Sequence, residues 1–249
     1  MAMMSYSKEE QASARHDTGL VERKPVGFFE DNGLLSPYSN IFYWSHMLAP
    51  GGAATGEQSH KGFEILTFVL SGELEHYDNS YRGWKNLAAG DMQVIMAGNG
   101  FMRKEKLLPG SSVLQVWLDP NLKKALNQPA YYNNYASDRF PISIEKGRST
   151  KVYLGENSPA RVQTPGVSVM EVSFGQGDHI YLCRKETFVS GFVLEGSLSV
   201  KRDSLDQYDF FIVKEEENLP VSAKSDSRIL FVESPLEPDY ATYAGTYRM

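Results

Sequence analysis

Cysteine is nearly absent from this sequence: its 249 residues contain only Cys183, so no disulfide forms within the chain and a cysteine-rich zinc site is excluded. That usage fits a reducing compartment. Long apolar runs are missing as well, with nothing approaching the ~18–20 residues that cross a bilayer. Met1 to Arg15, carrying Lys8, Glu9, Glu10 and Arg15, lacks the apolar segment of a secretory signal. A cytoplasmic protein with no membrane partner is therefore expected. A basic excess is missing too: 25 Lys and Arg face 31 Asp and Glu, a formal net charge of −6. Direct nucleic-acid binding, which depends on neutralising phosphates, is accordingly not expected. No Ser-His-Asp arrangement or nucleotide motif is present, and Gly98-Asn99-Gly100 lacks the Lys-Ser/Thr and helix that follow a phosphate loop.

Helical periodicity is scarce, and the clearest candidate is the brief Asn121 to Asn127. What fills the chain instead is a series of short β-prone runs. Ile41 to Leu48, Phe63 to Leu70, Glu73 to Tyr77, Met92 to Met96 and Ser112 to Leu118 are separated by turn residues such as Pro50-Gly51-Gly52, Ser71-Gly72, Asp78-Asn79-Ser80, Gly90-Asp91 and Pro109-Gly110. Strands of this length at this spacing predict an all-β sandwich or barrel. Residues 1–20 are polar and without periodicity, which reads as a flexible N-terminal arm.

The second half repeats the first. Thr67-Phe68-Val69-Leu70-Ser71-Gly72-Glu73-Leu74 aligns with Gly191-Phe192-Val193-Leu194-Glu195-Gly196-Ser197-Leu198. Gly90-Asp91 before Met92 to Ile95 matches Tyr208-Asp209 before Phe210 to Val213, and Ser112 to Leu118 matches Arg228 to Val232. Three matches in the same order indicate one duplicated unit. The expected division is a first barrel over 21–125, a linker and crossing segment over 126–160 and a second barrel over 161–249. The tail after Pro235, with Tyr240, Tyr243 and Tyr247, is expected to dock.

The run Gly52-x5-Gln58-x-His60-x3-Glu64-x7-Gly72 is nearly the first signature motif of the cupin barrel. With Lys61-Gly62-Phe63-Glu64, Leu70-x-Gly72, His76-x-Asp78, Gly90-Asp91-x-Gln93, Met96-Ala97-Gly98-x-Gly100 and Leu114-Gln115-x-Trp117, the chain resembles the pirin family of bicupins, including quercetinase-like and metal-free members. The resemblance is strongest over residues 50–120. It implies two stacked jelly-roll-like β-barrels, the first of which in many members holds one metal ion on three histidines and a glutamate. Those positions fall here on Gln58, His60, Arg103 and Glu105.

Two of the three histidines are thus replaced. Gln offers only an amide oxygen, and Arg, protonated with five donors, cannot ligate. No metal is expected on these grounds; the alternative is one divalent Fe, Ni, Zn or Mn ion on His60 and Glu105 with Gln58. The resemblance then implies a ligand-binding pocket of Gln58, His60, Glu64, Arg103 and Glu105 in a binding or regulatory protein, or else a metal-dependent quercetinase-type dioxygenase. Arg103 would stand where the metal's charge was, suited to a small anionic ligand, or would simply neutralise buried glutamates or point to solvent. An aromatic ligand and a protein partner are also open.

The remaining candidates have structural readings. His76 matches a family landmark that is not a ligand, so a structural hydrogen bond is expected; His46 belongs to a barrel wall. His179 precedes a strand of the second barrel, where the position equivalent to His60 falls on Arg184 and no His-x-His pair exists. Cys183, beside Arg184 and Lys185, is either an activated thiol or a small buried apolar residue.

Overall fold

The computed structural model describes residues 3–27, 35–79 and 83–246; Ser80 and Tyr247 lie outside them. Its strands in chain order are β1 (Met4–Tyr6), β2 (Ala12–Arg15), β3 (Val21–Val26), β4 (Ile41–Ala49), β5 (Ala53–Ala54), β6 (Gln58–His60), β7 (Glu64–Ser71), β8 (Glu73–Asp78), β9 (Trp84–Ala88), β10 (Met92–Met96), β11 (Phe101–Leu107), β12 (Ser111–Leu118) and β13 (Tyr131–Tyr135). They continue as β14 (Ile142–Glu145), β15 (Arg148–Leu154), β16 (Ser168–Phe174), β17 (Gly177–Leu182), β18 (Thr187–Glu195), β19 (Leu198–Val200), β20 (Asp203–Leu205), β21 (Phe210–Lys214), β22 (Asn218–Ala223) and β23 (Ser227–Pro235). The predicted helix is α1 (Leu122–Ala125), started by the Asn121 side chain, which accepts from the Lys124 amide. No helix among the described residues is long and apolar enough to cross a membrane.

The chain forms two compact units. The first comprises Ala12–Arg139, Arg161–Pro165 and Asp239–Met249; the second comprises Met1–Gln11, Phe140–Ala160 and Gly166–Pro238. The first unit has a seven-stranded antiparallel sheet in the order β13-β10-β7-β12-β4-β3-β2, and a smaller sheet β5-β11-β8-β9 in which β6 also pairs with β11. The second has the order β1-β21-β18-β23-β16-β15-β14 and the smaller sheet β17-β22-β19-β20. Position by position the two orders correspond, so the duplication inferred from three short matches extends over the whole topology.

Alternation positions the interior. In β8, Leu74, His76 and Asp78 are buried between exposed or half-buried neighbours, and in β22 Leu219, Val221 and Ala223 are buried in the same way. The turns leading to β8 and β19 rest on equivalent glycines. Gly72 has φ +70 and a Cβ there would sit 2.5 Å from Ser111 Oγ; Gly196 has φ +84 and the same atom would sit 2.3 Å from Ser227 Oγ.

Three boundaries differ from the sequence reading. The supposed arm contributes β1, which pairs with β21, and β2, which pairs with β3. Backbone ladders need no apolar alternation, so these strands leave little trace in a polar sequence. The supposed linker contains β13, β14 and all of β15; β13 and β14 are edge strands of the two large sheets and β15 lies next to β14. The tail belongs to the first unit: Tyr240 donates its hydroxyl to the Asp119 carbonyl at 2.6 Å, and Tyr243 packs edge-on against Phe63 at 5.3 Å.

Candidate functional site

The first unit encloses a cavity of about 440 Å³, whose floor carries Arg103, Glu105, Gln115, Gln58 and Trp117. Register explains how they meet. Arg103 pairs with Asp78 on one side and Gln58 on the other, and Glu105 pairs with His76, so these side chains share the inward face of the small sheet. Gln115 and Trp117 reach the cavity from β12 of the large sheet.

Arg103 is 1% exposed and organises the floor. Its Nη1 donates to Glu105 Oε1 at 2.7 Å, its Nε to His60 Nε2 at 3.1 Å and its Nη2 to Gln115 Oε1 at 3.3 Å. Gln115 Nε2 donates to both Glu105 oxygens at 3.2 Å, and Trp117 Nε1 donates to Gln115 Oε1 at 3.1 Å. The Glu105 amide is held by Thr55 Oγ1 at 2.9 Å. Burial draws the guanidinium below its ordinary value and Glu105 opposes the shift; Arg starts so high that it stays charged. His60 is pushed down to about 4, by burial first and the adjacent Arg103 second. It is therefore neutral near pH 7, its Nε2 lone pair accepting from Arg103.

Of the five residues placed in the pocket from sequence, Gln58, Arg103 and Glu105 line the cavity, and His60 stands behind Arg103, edge-on to Trp117 at 5.0 Å. Glu64 does not join them. Its carboxylate accepts from the Gln163 amide at 2.6 Å, the Thr164 amide at 2.9 Å and the Thr164 hydroxyl, and is 1% exposed. Closeness to His60 in sequence was misleading because Glu64 opens β7, whose first residue is taken up by the 161–165 segment. Burial raises the Glu64 carboxyl, against the pull of those hydrogen bonds. Gln115 and Trp117 were visible only as landmarks of the resemblance. The cavity mouth was not anticipated: Glu22 accepts from Tyr43 and His16, with Lys24 at 4.0 Å.

The donor set can be tested against a metal ion. Among the described residues no group of three or more His, Cys, Asp and Glu side chains is arranged to hold one. Of the three residual candidates, His60 Nε2 and Glu105 Oε1 both point at the Arg103 guanidinium, and only the amide oxygen of Gln58 is left without a hydrogen-bond partner. A divalent ion between them would meet a buried cation, so the residues present do not fit that group.

His46, in the wall as expected, bonds Ser112 Oγ at 2.8 Å and is pushed down to about 3 by burial and Arg23. In the second unit Tyr181 pairs with Leu219 as Gln58 pairs with Arg103, and Tyr181 stacks on Phe231 at 3.9 Å. Counting along β17 from that pair, Cys183 rather than Arg184 corresponds to His60. Burial and the carboxylates of Glu233 and Glu216 push the Cys183 thiol up to about 12, so it is not activated. Arg184 instead donates to Glu233 at 2.6 Å. A surface groove of about 560 Å³ on this unit contains Arg148 and Arg228, but Glu145, Glu171 and Glu195 already pair with them.

Two units of this topology, each with a large sheet and a small companion sheet around a buried interior, define an all-β protein of the cupin type. Residues 28–118 match the family model described as Pirin, and over that stretch the chain is similar to pirin-like cupins. A candidate quercetin 2,3-dioxygenase of Zymomonas mobilis is 28% identical over 182 residues, covering 71% of this chain and 74% of that protein. Pirin-like protein 2 of Arabidopsis thaliana is 32% identical over 155 residues, covering 59% of this chain and 46% of the plant protein, so the chain spans less than half of that relative. The nickel(II) complex of the bacterial pirin YhhW from Escherichia coli superposes with a TM-score of 0.79 at 20% identity, over 94% of this chain and 99% of that one. At that identity the likeness concerns the fold.

Proposed function

We propose that this pirin-like protein binds a small molecule in the cavity of its first unit without a resident metal, the ligand site of the metal-holding relatives having degenerated. One observation carries the reading: the Arg103 guanidinium satisfies His60 Nε2, Glu105 Oε1 and Gln115 Oε1 at once. A tethered cation serves the groups that would otherwise hold a metal. The volume suits a ligand of modest size, with Trp117, Tyr43 and Met47 offering apolar contact and Thr55 and Gln58 offering hydrogen bonds. Because Glu105 neutralises Arg103 at 2.7 Å before any ligand arrives, a neutral aromatic ligand suits the site better than a small anion. The single cysteine favours a cytoplasmic setting, where a regulatory role through a protein partner would be accessible.

A second reading draws on the relatives named for quercetin 2,3-dioxygenase: a metal-dependent oxygenase using His60 and Glu105. Calorimetry with phenols, benzoate and quercetin, in the presence of chelator, separates the two. Chelator-resistant binding of the neutral phenols over benzoate is the expected result. Oxygen uptake with quercetin that appears only on adding metal and disappears in His60→Ala would favour the oxygenase.

A further inference from the structure

The interior of the first unit is layered, and its middle layer is polar. On the large sheet Gln93, Thr67, Gln115 and Ser45 are successive register partners across β10, β7, β12 and β4, so all four side chains share the inward face. His76 and Glu105 are paired on the small sheet and face the same interior. One apolar cluster, with Ile65, Ile95 and Phe101, bounds this layer on one side, and another, with Met47, Val69, Leu74 and Val113, bounds it on the other.

Gln115 is fully engaged with Arg103, Glu105 and Trp117. Its neighbours are not. Thr67 Oγ1, Gln93 Oε1 and His76 Nδ1 are buried without a hydrogen-bond partner, on residues with no solvent exposure at all, whereas His76 Nε2 faces the Asp78 carboxylate. Gln93 uses only its Nε2, toward Asn134 Oδ1 at 3.0 Å. The His76 ring packs in a three-ring cluster with Phe101 and Tyr132, at 6.1 and 4.9 Å, and its Nε2 stands 3.5 Å from Asp78 Oδ2. Native interiors rarely leave such groups unmade unless something else meets them.

We infer that Thr67, Gln93 and His76 form an inner subsite for a neutral hydroxyl group, one strand beyond Gln115 and continuous with the layer that floors the cavity. A hydroxyl matches because its single O–H donates to the acceptor-only Gln93 Oε1 while its oxygen accepts from the Thr67 hydroxyl and a His76 ring N–H. An anion does not match, since Gln93 Oε1 would oppose it. Two sources share this chemistry: water, and the hydroxyl of an aromatic ligand seated against Trp117. The ligand case rests on the cavity reading above; the water case does not.

The test uses phenol and toluene, which differ by a hydroxyl in place of a methyl, with wild type, Thr67→Val and Gln93→Met, and a high-resolution structure of wild type. If a ligand hydroxyl fills the subsite, wild type binds phenol about tenfold more tightly than toluene, and either substitution removes most of that preference while leaving toluene affinity in place. Ordered water on Thr67 Oγ1 and Gln93 Oε1, without phenol preference, assigns the subsite to water. Equal binding of both probes with no ordered water there overturns the subsite and leaves the cavity reading standing. Failure of both probes to bind removes the aromatic reading of the cavity; the subsite then stands or falls on whether water occupies it.

Discussion

The two units share a strand order and differ in what that order encloses. In the first, the middle layer is Gln93, Thr67, Gln115 and Ser45 facing His76 and Glu105; in the second, the same register positions carry Phe211, Gly191, Phe231 and Met170 facing Val200 and Val221. Arg103 corresponds to Leu219 and Glu105 to Val221, by their pairing relative to Leu74 and Leu198. Most of these positions belong to one apolar cluster, and a buried carboxylate of the second interior, Glu233, is bonded to Tyr181 and Arg184. Gly191 fits this exchange: a Cβ on it would lie 2.2 Å from the Phe211 ring, so the small residue gives way to the large one. At these register positions the topology accepts apolar side chains, so the polar row of the first unit is not demanded by the fold. Its groups concentrate where function is sought.

Exchanging residues between the units gives the sharpest ways to break this comparison. Arg103→Leu leaves Glu105 buried without its cation and is expected to destabilise the protein by about 3–5 kcal/mol in denaturant titration. Arg103→Leu with Glu105→Val, the pair of the second unit, should recover most of that loss, because a well-packed apolar pair can replace a buried ion pair at little cost. A double variant as unstable as the single one would mean that the two interiors are not interchangeable. Gly191→Ala overpacks Phe211 and should cost about 1–3 kcal/mol. Gly72→Ala and Gly196→Ala probe the shared part of the fold instead: with φ of +70 and +84 and serine oxygens at 2.5 and 2.3 Å, each should cost about 1 kcal/mol or more, and by similar amounts. A large inequality would argue against equivalent turns.

Acidification should act through the first unit. His60 and His46 titrate at about 4 and about 3 in the folded protein, below the ordinary 6.5. Between those values and 6.5 the unfolded chain binds more protons, so stability is fully present above 6.5 and is lost as pH falls toward 4. A smaller change in denaturation midpoint between pH 7 and 4.5 for His46→Gln than for wild type is the expected signature. The smallest effect concerns Cys183, whose raised thiol should alkylate at pH 8 far more slowly than free cysteine.

Much of the fold was legible because strands with one buried face alternate, and because Leu70-x-Gly72 and Leu194-x-Gly196 repeat a turn whose glycines are sterically required. β1 and β2 were not legible, since Met4–Tyr6 is held by backbone pairing to a distant strand and Ala12–Arg15 by a polar hairpin with β3 that shows no alternation of large apolar residues. In the site, the resemblance located Gln58, His60, Arg103 and Glu105, and their residue types already spoke against metal ligation. Sequence could not say where Arg103 points, nor that Glu64 is claimed by Gln163 and Thr164 some hundred residues away. The polar row through Thr67 and Gln93 became visible only with the register, which sets residues from four strands side by side.

In the proposed reading, Arg103 does in this chain the electrostatic work a metal would do. That reading is tested most directly by titrating nickel(II) into wild type and into Gln58→His/Arg103→His, with elemental analysis after dialysis. Wild type is predicted to retain no stoichiometric nickel and the double variant to retain one ion per chain. Near-stoichiometric nickel in wild type, lost in His60→Ala, would contradict it.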